Sequence, residues 1–489
     1  MKITNSMTGK KEEFVPIKEG ELKMYACGIT VYDLSHIGHA RQAIVYAMIT
    51  EYFRYKGYKV TYVRNYTDVD DKIINRANQY GKNALEFSKE QILETEKDMA
   101  DLHVLDADIK TKASEYIDQI IKFVEKLIEK GYAYPTEKGD VYYSVKSFSE
   151  YGKLSHRKVE DLLNGVRIEL EEGKKAPEDF ALWKSAKPGE IYWESPWGKG
   201  RPGWHIECSA MALNTLGETI DIHGGGRDLL FPHHENEIAQ SEALNGKTFA
   251  NYWSHCGLIK INGEKMSKSL GNSLTIRDAL KMYNYEVIKY LMHSKHYASD
   301  IDITDNEFQL AERHMYYFYT TIKAMEEFIA NNEGNSKGEI IPNDISDTIV
   351  QKFESAMDDD FNTTVAISNL HIVFKYVNNL MKTAKKDNKK QVANTIAKIL
   401  EDLKNVYYVL GLLEQKPDDF IANIKGKYLE KLNINVKEIE EKISKRAEAK
   451  KVKDFETADG IRAELDKKGI ILNDTKDGTT WDFKELYNF

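Results

Sequence analysis

The chain has 489 residues, 42% of them hydrophobic, which is enough for several domains and more than one buried core. Three cysteines exclude a disulfide framework, no uncharged apolar run is long enough to span a bilayer, and Met1-Lys2-Ile3-Thr4-Asn5-Ser6 lacks the apolar core of a signal peptide. A cytoplasmic protein without a membrane partner is expected, and with a net charge of −9 any nucleic-acid contact must come from local basic patches.

Along the chain, Met24-Tyr25-Ala26-Cys27 reads as a buried strand, Ile37, Ala40, Ile44 and Met48 follow helical spacing, and Val60-Thr61-Tyr62-Val63 reads as the next strand. In such a βαβ unit, ligands sit at the carboxyl ends of the strands, where a helix N-terminus offers N–H groups to phosphate. His36-Ile37-Gly38-His39 falls at that place. Gly38 lets the backbone approach a nucleotide, and each imidazole can donate a hydrogen bond to a phosphate oxygen. The other reading is a helix-capping turn that contains two histidines. Farther on, Gly224-Gly225-Gly226 and Asp228 suit a turn, and Pro232 is expected to start a helix that carries His233 and Glu237 one turn apart on one face. Together with Cys27 and Cys208 these make a four-ligand zinc set in chemical type, although both cysteines also suit a small core position. Lys265-Met266-Ser267-Lys268-Ser269 lies between Gly263 and Gly271. Its two lysines can grip the β- and γ-phosphates of a nucleotide, or form a solvated basic turn.

The second half of the chain becomes helical. Phe308, Ala311, Met315, Phe318, Ile322, Met325 and Ile329 form one apolar stripe, Asn331 to Gly338 is a polar break, and Phe374, Val377, Leu380, Ile396, Ile399, Leu403, Val406 and Leu410 continue the helical pattern. A composition shift at Lys416-Pro417-Asp418 marks a spacer before a small terminal module. There Asp454 is expected to cap a helix through Phe455, Ala458, Ile461 and Leu465, followed by a strand Ile470-Ile471-Leu472 and Trp481. The best basic cluster for nucleic acid is Lys442, Lys445, Arg446, Lys450, Lys451 and Lys453, with a second at Lys385, Lys386, Lys389 and Lys390.

His36-Ile37-Gly38-His39 and Lys265-Met266-Ser267-Lys268-Ser269, in this order, resemble the paired ATP signatures of class I aminoacyl-tRNA synthetases. Longer runs narrow the resemblance to the cysteinyl-tRNA synthetases: Asn65-Tyr66-Thr67-Asp68-Val69-Asp70-Asp71-Lys72, Gly200-Arg201-Pro202-Gly203-Trp204-His205-Ile206-Glu207-Cys208 and Pro232-His233-His234-Glu235-Asn236-Glu237. The resemblance implies an α/β fold: a Rossmann-like parallel-sheet catalytic domain, split over 1–110 and 200–260 by a connective insertion at 111–199. It also implies a lysine-loop and stem-contact region at 261–306, a tRNA-binding helical bundle at 307–415 and an anticodon-binding α/β module at 416–489.

By the same resemblance, Cys27, Cys208, His233 and Glu237 hold one zinc ion that the substrate thiol joins. Gly28, Thr67, Trp204 and His205 line the amino-acid pocket. His36, Gly38, His39, Gly225, Asp228, Lys265, Met266, Ser267 and Lys268 bind ATP, with His36, His39, Lys265 and Lys268 stabilising the transition state. The implied activity is a cysteine–tRNA ligase that uses Mg-ATP, L-cysteine and tRNA(Cys) and acts as a monomer. Shape alone separates substrates differing by a methylene only about 10–200-fold, so a thiol-seeking zinc explains how serine is refused without an editing domain, for which 111–199 is too short. The alternatives are a cysteine ligase acting on an amino-sugar, a class I synthetase for another amino acid such as methionine, and a catalytically inactive tRNA-binding regulatory paralogue.

Overall fold

The computed structural model describes residues 1–157, 173–266, 273–475 and 478–487. The chain divides into two compact units, one comprising Met1–Ile276, His296–Ile301 and Met357–Asn362, the other Arg277–Lys295, Asp302–Ala356 and Thr363–Phe489.

The first unit is organised by a five-stranded sheet. Its strands are β1 (Glu21–Thr30), β2 (Lys59–Thr67), β3 (Ile109–Lys112), β4 (Ile220–Gly226) and β5 (Ala250–Cys256), and the helices that matter for the site are α1 (Ile37–Tyr55), α2 (Trp204–Leu216) and α3 (Glu235–Asn245). All four strand pairings are parallel and the spatial order is β5-β4-β1-β2-β3. Strands covered on both faces are buried throughout, which is why Met24 to Cys27 reads as a continuous apolar run and why Tyr62 to Tyr66 is buried without alternation even at Arg64 and Asn65. The order reverses between β1 and β4. Such a switch point opens a crevice at the carboxyl ends of the two strands, and there the sequence carries Cys27 and the triple glycine.

Between β3 and α2 the chain builds a four-stranded antiparallel sheet from Ala133–Pro135, Val141–Tyr143, Phe180–Ser185 and Gly200–Pro202. The helix Ile117–Glu129 lays Ile120, Phe123, Val124 and Leu127 in the same apolar core as Val141, Leu182 and Trp183. Burying each such side chain contributes about 1.5–3 kcal/mol.

The second unit is largely helical. Its longest helix, Asp305–Asn331, is capped by Thr304 Oγ1 accepting from the Glu307 N–H, and it buries Phe308, Ala311, Met315, Phe318, Ile322 and Met325 of the expected stripe, Ile329 near its end being only half-buried. Lys416-Pro417-Asp418 proves to be a helix start and not a spacer. Pro417 opens the helix Pro417–Leu432, because a proline in the first turn lacks only an N–H that would go unpaired there anyway. Asp454 caps Phe455–Lys467 through the Thr457 N–H, and Ile470–Thr475 pairs antiparallel with Gly478–Phe483. Among the described residues no helix is long and apolar enough to cross a membrane.

Candidate metal centre and nucleotide site

α1 starts where the sequence places it, but its first N–H groups are already partnered. The Ile37 N–H donates to the Leu274 carbonyl, and the N–H groups of Gly38 and His39 donate to His36 Nδ1 at 3.2 and 3.4 Å. The His36 N–H in turn donates to His39 Nδ1 at 3.3 Å, and the two rings stack with centroids 3.6 Å apart. The capping-turn reading is therefore the local structure, and the expected direct approach of phosphate to these N–H groups is not what they serve. The two readings are nevertheless compatible. With both Nδ1 atoms accepting, each neutral ring carries its proton on Nε2 and has that N–H as its donor. Gly38 suits the close packing here: a Cβ there would lie 3.0 Å from the His36 ring and 3.1 Å from the Met266 methyl, so one of those side chains would have to give by a few tenths of an ångström.

Farther along α1, Arg41 is 1% exposed and donates to the carbonyls of Leu258, Tyr297 and Ser299, pinning the helix to the segment that enters the hairpin Ile259–Ile261/Glu264–Lys265. That hairpin leads into the lysine signature. Ser267 and Lys268 lie outside the described residues, and only the backbone of Lys265, paired with Lys260, is described. Gln42 donates to the Cys27 carbonyl.

Tyr46, fully buried, reaches the end of β4. Its hydroxyl accepts from the Gly225 N–H at 2.6 Å and lies 3.0 Å from the Gly225 carbonyl and 2.8 Å from that of Ser254. β4 pairs with β1 only as far as Gly224–Ala26, so at Gly225 the tyrosine replaces the missing ladder partner. The glycines follow from this crowding: a Cβ on Gly224 would lie 2.3 Å from the Tyr46 ring, and one on Gly225 2.8 Å from His234 and 2.9 Å from Leu229. Asp228 follows directly, in the short helical turn Arg227–Leu229 beyond β4.

The four expected metal ligands converge from β1, α2 and the turn into α3. Cys27 Sγ lies 3.7 Å from Cys208 Sγ, 3.6 Å from His233 Nε2 and 3.2 Å from Glu237 Oε1, and His233 Nε2 lies 3.0 Å from Glu237 Oε1. Donors around a tetrahedral zinc with bonds of about 2.0–2.3 Å stand about 3.3–3.8 Å apart; Cys27 stands within that range of Cys208 and His233, the 3.2 and 3.0 Å separations to Glu237 fall just below it, and the donor types are those of a zinc site. All four side chains are at most 2% exposed. Pro232 does not begin the regular helix. α3 starts at Glu235, and His233 sits in the preceding irregular turn Leu230–His234, which still brings it against Glu237.

Burial pushes the Cys208 thiol up, but hydrogen bonds from Cys27 and His233 outweigh it and bring it down to about 6. Burial would lower His233, yet Glu237 and Cys208 raise it to about 10. Glu237 is held well below the usual carboxylate range by His223 and His233 despite its burial, while burial and the neighbouring Cys208 and Glu237 push the Cys27 thiol up. The centre thus holds an anionic Cys208 and Glu237 against a protonated His233, and binding a metal would release the protons of His233 and Cys27.

The expected pocket residues gather here. The ring of Trp204, 37% exposed, stands 4.4 Å from that of His233, and His205 Nδ1 is 2.9 Å from His233 Nδ1. Thr67 donates to Glu207 Oε2 at 2.9 Å. Gly28 donates to Asn65 Oδ1, and a Cβ on it would overlap the Asn65 carbonyl oxygen at 1.6 Å.

Sequence reasoning passed over Glu207, Tyr46 and three histidines. His223 Nε2 lies 3.0 Å from Glu237 Oε2 and 3.8 Å from Cys27 Sγ, His234 Nδ1 is 2.8 Å from His255 Nε2, and His255 Nδ1 is 2.7 Å from Ser6 Oγ. With His205 and His233 they place five of the chain's 13 histidines in one cluster. The doubled His233-His234 and the histidine preceding the triple glycine were the available signals, whereas nothing local marks His255.

The basic cluster near the C-terminus is less cationic than it reads. Arg446 makes a two-pronged ion pair with Asp474 at 2.7 and 2.9 Å, Lys450 joins the same carboxylate at 2.8 Å, and Lys442 pairs with Glu464.

Comparison with known proteins agrees with this geometry. Residues 13–313 match the family model "tRNA synthetases class I (C) catalytic domain", and residues 352–414 match the DALR domain. A cysteine–tRNA ligase of Thermodesulfovibrio yellowstonii is 48% identical over 490 residues, covering 99% of this chain and all of that protein. One of Geobacter sulfurreducens is 47% identical over 487 residues with the same coverage. Among solved structures, the Mycobacterium tuberculosis methionyl-tRNA synthetase in complex with methionyl-adenylate superposes with a TM-score of 0.63 at 12% identity, covering 82% of this chain and 93% of that one. At that identity the likeness speaks for the fold alone. With both signatures, the switch-point crevice and the full-length relatives in agreement, the chain belongs to the cysteine–tRNA ligases of the class I tRNA synthetase family.

Proposed function

We propose that this protein activates L-cysteine with Mg-ATP to cysteinyl-adenylate and pyrophosphate, then transfers cysteine to the 3′-terminal adenosine of tRNA(Cys), working as a monomer in the cytoplasm. The observation that carries the reading is the buried Cys27, Cys208, His233 and Glu237 quartet beside the nucleotide crevice. These four residues would hold zinc. When bound, zinc supplies a soft Lewis acid that takes a thiolate in preference to a neutral hydroxyl, which separates cysteine from serine before activation.

The remaining chemistry belongs to the chain. Trp204, His205, Thr67 and Gly28 wall the amino-acid side of the crevice, excluding water and bulkier side chains. Gly225 lets the nucleotide approach the end of β4, and Asp228 accepts from ribose hydroxyls. As the cysteine carboxylate attacks the α-phosphate, the Nε2–H groups of His36 and His39 and the ammonium groups of Lys265 and Lys268 meet the negative charge that builds on the phosphates. A ribose hydroxyl of the terminal tRNA adenosine then attacks the aminoacyl carbonyl and displaces AMP. The test is ATP–pyrophosphate exchange driven separately by cysteine, serine and methionine, with zinc measured on the same sample. Exchange with cysteine alone and one zinc per chain is expected. Exchange with serine at a similar rate, or full selectivity in protein free of transition metal, contradicts the reading.

A further inference from the structure

The acidic sulfur centre has more donors than one ion needs. Cys27, His223, His234 and Glu237 also bring one ligand atom each to within 4.8 Å of one another, as Cys27, Cys208, His233 and Glu237 do, and all six side chains are buried. His223 Nε2 stands 3.8 Å from Cys27 Sγ and 3.0 Å from Glu237 Oε2, closely matching the 3.6 and 3.0 Å that His233 Nε2 makes with Cys27 and Glu237. His234 Nε2, 4.0 Å from Glu237 Oε1, is buried and has no hydrogen-bond partner among the described residues.

The orientation of His234 is also that of a ligand. A metal-binding imidazole usually donates its other N–H to a neighbouring acceptor, which fixes the tautomer and leaves a lone pair toward the ion. His234 Nδ1 can donate to His255 Nε2, whose Nδ1–H can donate to Ser6 Oγ, so the lone pair falls on His234 Nε2. His233 repeats the arrangement with His205 behind it. Two imidazoles, each backed by a second imidazole, thus face the same Cys27 and Glu237 from two directions.

We propose that the cluster is a metal centre with two overlapping seats, and that Cys27, His223, His234 and Glu237 form a second four-ligand site for the same soft divalent cation. It rests on the reading that the first quartet holds zinc. Because Cys27 and Glu237 are common to both seats, the centre takes one ion at a time. The two differ in sulfur: the first offers two thiolates and the second one, so the first is the resting seat for a thiophilic ion. The second keeps the ion in the protein when Cys208 or His233 is lost or its sulfur is blocked.

The full chain is purified as wild type, Cys27→Ala, Cys208→Ala, His234→Ala and Cys208→Ala/His234→Ala. Folding is checked by circular dichroism, bound zinc is counted, and near-ultraviolet thiolate-to-metal absorption is recorded after loading with cobalt. A single seat predicts equal loss from Cys27→Ala and Cys208→Ala. Two seats predict an asymmetry: Cys27→Ala loses the metal, Cys208→Ala keeps one ion per chain with the absorption of one thiolate, and the double variant loses it. His234→Ala alone keeps one ion and the absorption of two thiolates. Should the imidazole be needed for folding, His234→Asn replaces it in the same series. Equal loss from the two cysteine variants overturns the second seat, as does a double variant that keeps its ion. Wild-type protein without metal overturns the zinc reading itself, a distinct result.

Discussion

Replacing Tyr46 by phenylalanine removes one oxygen atom and should act on the nucleotide more than on the amino acid. The ring stays in its place beside Gly224, so the shape of the core is kept. What is lost is the acceptor of the Gly225 N–H, on a residue buried where β4 has already parted from β1. A buried N–H left without a partner costs about 1–3 kcal/mol. If the strand end relaxes to recover that energy, Gly225 moves where the adenosine is proposed to rest, and the cost appears as a KM for ATP raised between about 5- and 150-fold. The assay is cysteine-dependent ATP–pyrophosphate exchange with each substrate varied in turn, alongside zinc content and the melting temperature. The expected result is a raised KM for ATP with zinc content and the KM for cysteine nearly unchanged. A correctly folded variant with an unaltered KM for ATP, or with both constants raised equally, would refute the positioning role of Tyr46.

Two other variants read separate parts of the chain. Lys268→Ala should depress adenylate formation far more than cysteine binding, because its charge matters chiefly as negative charge builds in the transition state; equal losses in exchange rate and in cysteine affinity contradict this. Glu312, 4% exposed in the second unit, has its carboxyl raised by burial from 4.5 to about 7. The folded state therefore holds this proton more tightly than the unfolded one, and its contribution is fully present below pH 4.5 and declines as pH rises to about 7. That shift corresponds to about 3 kcal/mol. Glu312→Gln should flatten the fall in denaturant stability over this window, and an unchanged pH profile argues against a buried, proton-holding Glu312.

Much of this molecule is legible residue by residue because its causes are local. Helical periodicity marks Phe308 to Met325, the side chain of Asp454 marks a helix start, and an i, i+4 spacing brings His233 to Glu237 even though the turn between them is irregular. The chemistry of the donor quartet was also readable, since two thiols, an imidazole and a carboxylate are a donor set wherever they meet. Whether they meet was not. Cys27 and Cys208 stand 181 residues apart, and only the β5-β4-β1-β2-β3 order, with α2 packed near β1, brings their sulfurs to 3.7 Å. The same holds for His255, which nothing in its own stretch of chain marks and which reaches His234 only because β4 and β5 lie side by side. The basic run from Lys442 to Lys453 shows the converse, because its charge looks available until Asp474 and Glu464 fold against it. Local propensity and donor type are properties of short stretches of chain. Which donors share a site depends on contacts such as the 181-residue span from Cys27 to Cys208 that the parallel sheet creates, and which charges stay open to a partner depends on how the C-terminal helices and strand pair fold against one another.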